Sequence, residues 1–101
     1  MSAVKHILIK ARRLIDTPDK WCKRIPIKTD KDTKQTSYCA VKAVDMCSPK
    51  RTKHGGIRPL YQQAIFALHV SGTPAIIRFN DHKDTEHSDI LNMFDAAIKA
   101  Q

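Results

Sequence analysis

The stretch Ala3-Val-Lys-His-Ile-Leu-Ile-Lys-Ala-Arg-Arg-Leu-Ile-Asp16 decides the fold class. Val4, Ile7, Leu8, Ala11, Leu14 and Ile15 recur at helical spacing and share one arc of a wheel turned by about 100° per residue, so the segment reads as an amphipathic helix. Lys5, His6, Lys10, Arg12 and Arg13 occupy the opposite arc, with Ile9 alone among them, which makes the outer face basic. Thr17-Pro18 ends the helix, because the residue before a proline avoids helical geometry.

Residues 18–35 hold two prolines, the lone Trp21 and the charge-rich run Lys28-Thr-Asp-Lys-Asp-Thr-Lys34 without helical periodicity, and read as a long connection, with Ile25-Pro26-Ile27 briefly extended. Thr36 or Ser37 can cap a second helix reaching about Cys47, whose apolar arc is Cys39, Ala40, Ala43, Val44 and Cys47; Ser48-Pro49 closes it. Lys50-Arg-Thr-Lys-His-Gly-Gly56 reads as a flexible basic loop. Pro59 suits the first turn of a third helix running to about Ser71, with Gly72 as its stop and Tyr61, Ala64, Ile65 and Leu68 as its main face. Phe66 and Val70 lie on its reverse side, which implies a helix covered on both sides or an interface.

Thr73-Pro-Ala-Ile-Ile-Arg-Phe79 combines a helix-start signal with strand-like residues, and over so few positions periodicity does not separate the two; a short helix is favoured. Asn80-Asp81 marks a turn. Thr85 is the expected cap of a final helix with Ile90, Leu91, Met93, Phe94, Ala97 and Ile98 inward, and Glu86 and Asp89 in its first turns, where the dipole favours acids. The expectation is a mainly α fold: one domain over residues 1–101, a compact bundle of about four helices, with a long 18–35 connection and an ambiguous 73–79 segment.

Composition agrees with a globular chain: 101 residues, 42% hydrophobic and 28% charged. The net charge of +8 is unevenly spread, since residues 1–58 hold 15 Lys/Arg against 5 Asp, and residues 59–101 hold 3 Lys/Arg against 5 Asp/Glu. Such a field favours association with polyanions or acidic protein surfaces. Lys5, His6 and Lys10 interrupt the apolar N-terminal residues, so a signal peptide is not read there, and Ala64 to Leu68 is too short a run to span a bilayer. No membrane association and a cytoplasmic location in a bacterial host cell are expected. Three cysteines without a short paired motif fit free thiols.

Trp21, then Tyr38-Cys39-Ala-Val-Lys-Ala43, then Phe79-Asn80-Asp81 followed by Thr85, Asp89-Ile90 and Ala97-Ile98 form a pattern. It resembles a family of small uncharacterised bacterial and phage proteins with a tryptophan, a Cys-x-x-Gly-Ala helix, a Trp/Phe-Asn-Asp turn and a terminal helix. The match spans roughly Trp21 to Ala100, and Lys42 stands where the family usually has glycine, a departure expected to alter close helix packing. The resemblance implies a shared fold and a phage or prophage origin; it names no reaction and no catalytic residue.

The residue types that could carry chemistry have plainer uses. Cys39 and Cys47, eight apart on one expected helix, lie roughly 12 Å apart along it, too far for a mutual disulfide, and read as small core positions. A thiol enzyme would need a base within reach, and no motif supplies one. The five histidines and three cysteines show no finger-like pairing, so neither a metal site nor a cofactor is expected; His82 and His87 flank a surface turn. Asn80, Asp81 and Thr85 read as capping residues, Cys39 as core and Trp21 as a core anchor.

The basic residues are the functional candidates: Lys5, Lys10, Arg12 and Arg13 on the first helix, Lys20, Lys23 and Arg24 beside Trp21, and Lys50, Arg51, Lys53 and Arg58 around the Gly-Gly loop. The leading expectation is a non-enzymatic interaction protein, phage- or prophage-encoded, acting on a host protein (for example a defence protein) through that basic surface. The alternative is a nucleic-acid-binding module making sequence-independent phosphate contacts; no helix-turn-helix, zinc-finger or RNA-recognition signature is present to read bases. Ile9 or the Phe66/Val70 face offers a self-contact for a homo-oligomer.

Overall fold

The computed structural model describes residues 2–50, 58–70 and 76–101. Arg51, Lys53 and the rest of the Gly-Gly loop, the Gly72 stop and the start of the 73–79 segment lie outside them, as does the side chain of Val70. In chain order the elements are α1 (Ala3–Leu14), a 3-10 turn (Pro18–Lys20), β1 (Ile27–Thr29), β2 (Thr36–Tyr38), α2 (Ala40–Cys47), α3 (Pro59–Val70), α4 (Ile76–Asp81) and α5 (His87–Lys99). The chain is mainly α, four longer helices and a short one, as the hydrophobic spacing predicts.

Helix α1 behaves as its pattern requires. The Ser2 hydroxyl accepts from the Lys5 N–H at 3.0 Å, covering one orphan amide of the first turn. Val4, Ile7, Leu8, Ala11 and Ile15 are buried against Val44 of α2, Leu68 of α3, and Ile90 and Phe94 of α5 in one core cluster. Leu8, Ile15, Leu68, Ile90 and Phe94 are essentially sealed from water. Burying side chains of this size contributes about 1.5–3 kcal/mol each.

The middle of the chain departs from expectation. Thr36 and Ser37 do not cap a helix: they belong to β2, which pairs antiparallel with β1 in the register Ile27↔Tyr38, Lys28↔Ser37, Thr29↔Thr36. The reason lies in the turn between them. The Asp30 carboxylate accepts from the N–H groups of Asp32 (2.8 Å) and Thr33 (3.0 Å), and the Lys34 N–H closes on the Asp30 carbonyl at 3.0 Å with Lys34 at φ 62°. An Asx turn of this kind folds a charged run back on itself. Cys22 N–H donates to the Tyr38 carbonyl at 3.1 Å, and Trp21 bridges Tyr38, so β2 is flanked on both sides.

The cap of α2 is Cys39, whose sulfur accepts from the Lys42 N–H at 3.3 Å. At the other end of the chain Thr85 is buried but is not the cap; the cap of α5 is one residue later, Glu86, whose N–H donates to the Asp89 carboxylate at 2.9 Å. The short helix favoured for 73–79 is present as Ile76–Asp81. Asn80 and Asp81, expected in a turn beyond it, are its last two residues.

Candidate binding surface

Asn80 is 2% exposed and organises the region where the connection, α2 and α4 meet. Its Oδ1 accepts from the Trp21 indole N–H at 2.7 Å and from the Ala40 N–H at 3.0 Å; its Nδ2 donates to the Cys22 carbonyl at 3.1 Å and to the Asp81 carboxylate at 3.0 Å. Two donors on one side and two acceptors on the other fix the amide's orientation. Asp81 in turn accepts from the N–H of Arg24, which sits at φ 71°, a conformation costly for any residue with a Cβ and held here by that charge-assisted bond. Trp21, Asn80 and Asp81 therefore form one clamp, and Cys39 lies beside it in the wall of a cavity of about 230 Å³ that Asn80 and Asp81 also line. Lys42 is half-buried with its ammonium 3.1 Å from Asp45.

Three of the basic candidates are consumed by the fold. Arg12 makes two bonds to the Asp95 carboxylate (2.5 and 3.2 Å), tying α1 to α5. Arg58 reaches the Asp45 carboxylate (2.5 Å), the Asp45 carbonyl (3.2 Å) and the Pro49 carbonyl (3.2 Å), and its guanidinium lies 4.7 Å from the Tyr61 ring centre. Lys23 donates to the His82 carbonyl at 2.6 Å, just past the end of α4, and lies 5.5 Å over the Trp21 ring. Lys20 pairs with Asp16 at 3.2 Å, both largely exposed, a contact worth little.

The acids are spent in the same way. Asp16, Asp45 and Asp95 face cations, Asp30 shapes the hairpin turn, Asp81 belongs to the clamp, Asp89 to the α5 cap, and Asp19 accepts from the Thr17 hydroxyl at 2.5 Å. The electrostatics agree: the Arg58 guanidinium holds the Asp45 carboxyl below its usual range, the backbone N–H groups of Thr33 and Asp32 do so for Asp30, and the Thr17 hydroxyl for Asp19. By contrast Lys5, Lys10, Arg13, Lys28, Lys31, Lys34 and Lys50 have no carboxylate within ion-pair distance among the described residues. Lys28, Lys31 and Lys34, absent from the candidates read from the sequence, are exposed on and between the hairpin strands.

Burial pushes the Cys22 and Cys47 thiols up. Among the described residues no group of three or more His, Cys, Asp or Glu is placed to hold a metal ion, and no helix is long and apolar enough to cross a membrane. An apolar groove lies across α2, α3 and α4. Ile77 (62% exposed) and Phe66 (64% exposed) line it with Val41, Tyr61 and Ile65, and through Val41, Tyr61 and Ile77 it runs into the cavity beside Arg24 and Ile25.

No curated protein and no solved structure matches the chain. Residues 1–100 match a family of unknown function, DUF6197. The match covers every element from α1 to α5 and the whole Trp21–Asn80–Asp81 clamp, and the chain belongs to that family.

Proposed function

We propose that the protein is a non-enzymatic interaction protein that engages an acidic partner protein through its unpaired cations. The observation that carries this reading is the division of charge: seven carboxylates are engaged by partners within the chain, while Lys5, Lys10, Arg13 and the hairpin lysines serve no internal pair among the described residues. Charges left out of the fold cost little to keep and steer an oppositely charged partner.

The groove of Phe66, Ile77 and Tyr61, with Arg24 where it meets the cavity, favours a protein over a nucleic acid. An exposed apolar groove suits contact with a protein, whereas phosphate tracking needs no aliphatic groove. The resemblance to small bacterial and phage proteins is the ground for reading a host protein as the partner. Nucleic-acid binding through the same cations is the alternative.

Affinity capture from host lysate, with and without nuclease, tests the reading. The expected result is a partner retained after nuclease and lost from a Lys5→Glu, Lys10→Glu, Arg13→Glu variant. Retention that disappears on nuclease treatment would transfer the surface to nucleic acid.

A further inference from the structure

Helix α1, the 3-10 turn and the hairpin border an open surface concavity of about 380 Å³, separate from the clamp. Arg13, Lys20 and Lys34 line it with Gln35, Thr36 and Tyr38, and no acidic side chain is among its lining residues. Three cations share one small space, and two of them, Arg13 and Lys34, have no carboxylate partner among the described residues.

Lys34 is the informative member. The turn from Asp30 requires φ 62° at position 34, a conformation that glycine takes freely and lysine only at a cost. The sequence breaks the local rule at a residue that lines the cleft, and broken local rules concentrate at functional sites.

We propose that this cleft binds the dianionic phosphate monoester of a ligand, with Arg13 and Lys34 as the main cations and Lys20 as the third. A phosphate monoester offers three terminal oxygens and nearly two charges, matching three cationic donors; a carboxylate offers less to each. An extended nucleic-acid backbone fits less well, because Asp16 stands beside Lys20, and Asp30 and Asp32 stand at the hairpin turn, so a polyanion leaving the cleft meets negative charge. The site deepens the proposed function and rests on the same unpaired cations: the partner would present a phosphorylated side chain here. A free phosphate ester shares that chemistry.

The test is an amide NMR titration of the full chain with O-phosphoserine, with a short glycine peptide carrying one phosphoserine, with the same peptide unphosphorylated, and with an oligonucleotide lacking terminal phosphates. The first two ligands are expected to shift Arg13, Lys34, Gln35 and Tyr38, and the unphosphorylated peptide is not. Affinity should strengthen as pH rises through the phosphate's second ionisation, near about pH 6. Lys34→Gly keeps the turn, because glycine accepts the positive φ, and is expected to lose about tenfold in affinity, equivalent to one charge-assisted contact. Tighter binding of the peptide than of O-phosphoserine identifies a phosphorylated protein, and equal binding identifies a free ester; both uphold the site. Absence of shifts in the cleft, unchanged affinity in Lys34→Gly, or equal competition by the oligonucleotide overturns it. If partner capture persists while the phosphate titration fails, the cleft alone is refuted and the acidic-partner reading stands.

Discussion

Replacing Asn80 by alanine should unlock the junction of the connection, α2 and α4, and the size of the loss follows from its partners. The Trp21 indole N–H, the Ala40 N–H and the Cys22 carbonyl each lose their bond to a residue that is 2% exposed. A buried polar group stripped of its partner costs about 1–3 kcal/mol, and because Trp21 and Cys22 are half-buried and regain some water, the low end applies to them. Adding the small void left by the amide, Asn80→Ala should cost roughly 3–5 kcal/mol, a large part of the 5–15 kcal/mol that holds a typical domain together. At about 4–8 °C per kcal/mol for a domain of this size, thermal unfolding should shift down by at least about 12 °C. Calorimetry with urea denaturation measures it directly. Asn80→Asp separates the hydrogen bonds from the volume. It keeps the acceptor for Trp21 and Ala40 but sets a carboxylate against that of Asp81, 3.0 Å from the present nitrogen. Repulsion and burial raise the pKa of the pair, so this variant's deficit should shrink on acidification. A loss below about 1 kcal/mol for Asn80→Ala would refute the clamp as the organising feature.

Three further outcomes follow. Asp45 has its pKa lowered, chiefly by Arg58, so its contribution is present above its ordinary value of 3.8 and disappears as pH falls through the lower folded value; urea stability should decline below about pH 4, with a shallower decline in Asp45→Asn. Arg24→Gly should be neutral or stabilising by up to about 1 kcal/mol in thermal unfolding, because glycine relieves the φ of 71° while keeping the N–H that Asp81 accepts. Arg12→Gln should lower stability by no more than about 1 kcal/mol and leave partner capture unchanged, since the guanidinium is spent on an exposed carboxylate; weakened capture would return Arg12 to the binding surface.

The helices were legible because each carries an apolar arc wide enough to count, α1 above all. The hairpin was not, for a physical reason: every residue of β1 is exposed, so no alternation marks it, and three-residue strands carry little signal beside a charged run. Capping was misread where the cap is unusual. A cysteine sulfur caps α2 in place of Thr36 or Ser37, and the cap of α5 is Glu86, one residue past the buried Thr85. Arg12 and Arg58 look like free surface cations in the sequence, yet they find Asp95 and Asp45, partners that only the folded chain brings near. Asn80 has the same character: its sequence context suggests a local cap, while its bonds to Trp21, Cys22 and Ala40 span the chain.

The most direct test of the proposed surface is the salt dependence of affinity for the captured partner, measured with the nuclease-treated pair for the wild type and for a variant neutralised at Lys5, Lys10, Arg13 and Lys34. The proposal predicts wild-type affinity that falls steeply between about 0.05 and 0.5 M salt and a variant both weaker and nearly insensitive to salt, as expected when the removed charges supplied the attraction. Equal affinity and equal salt slopes for the two proteins would contradict it.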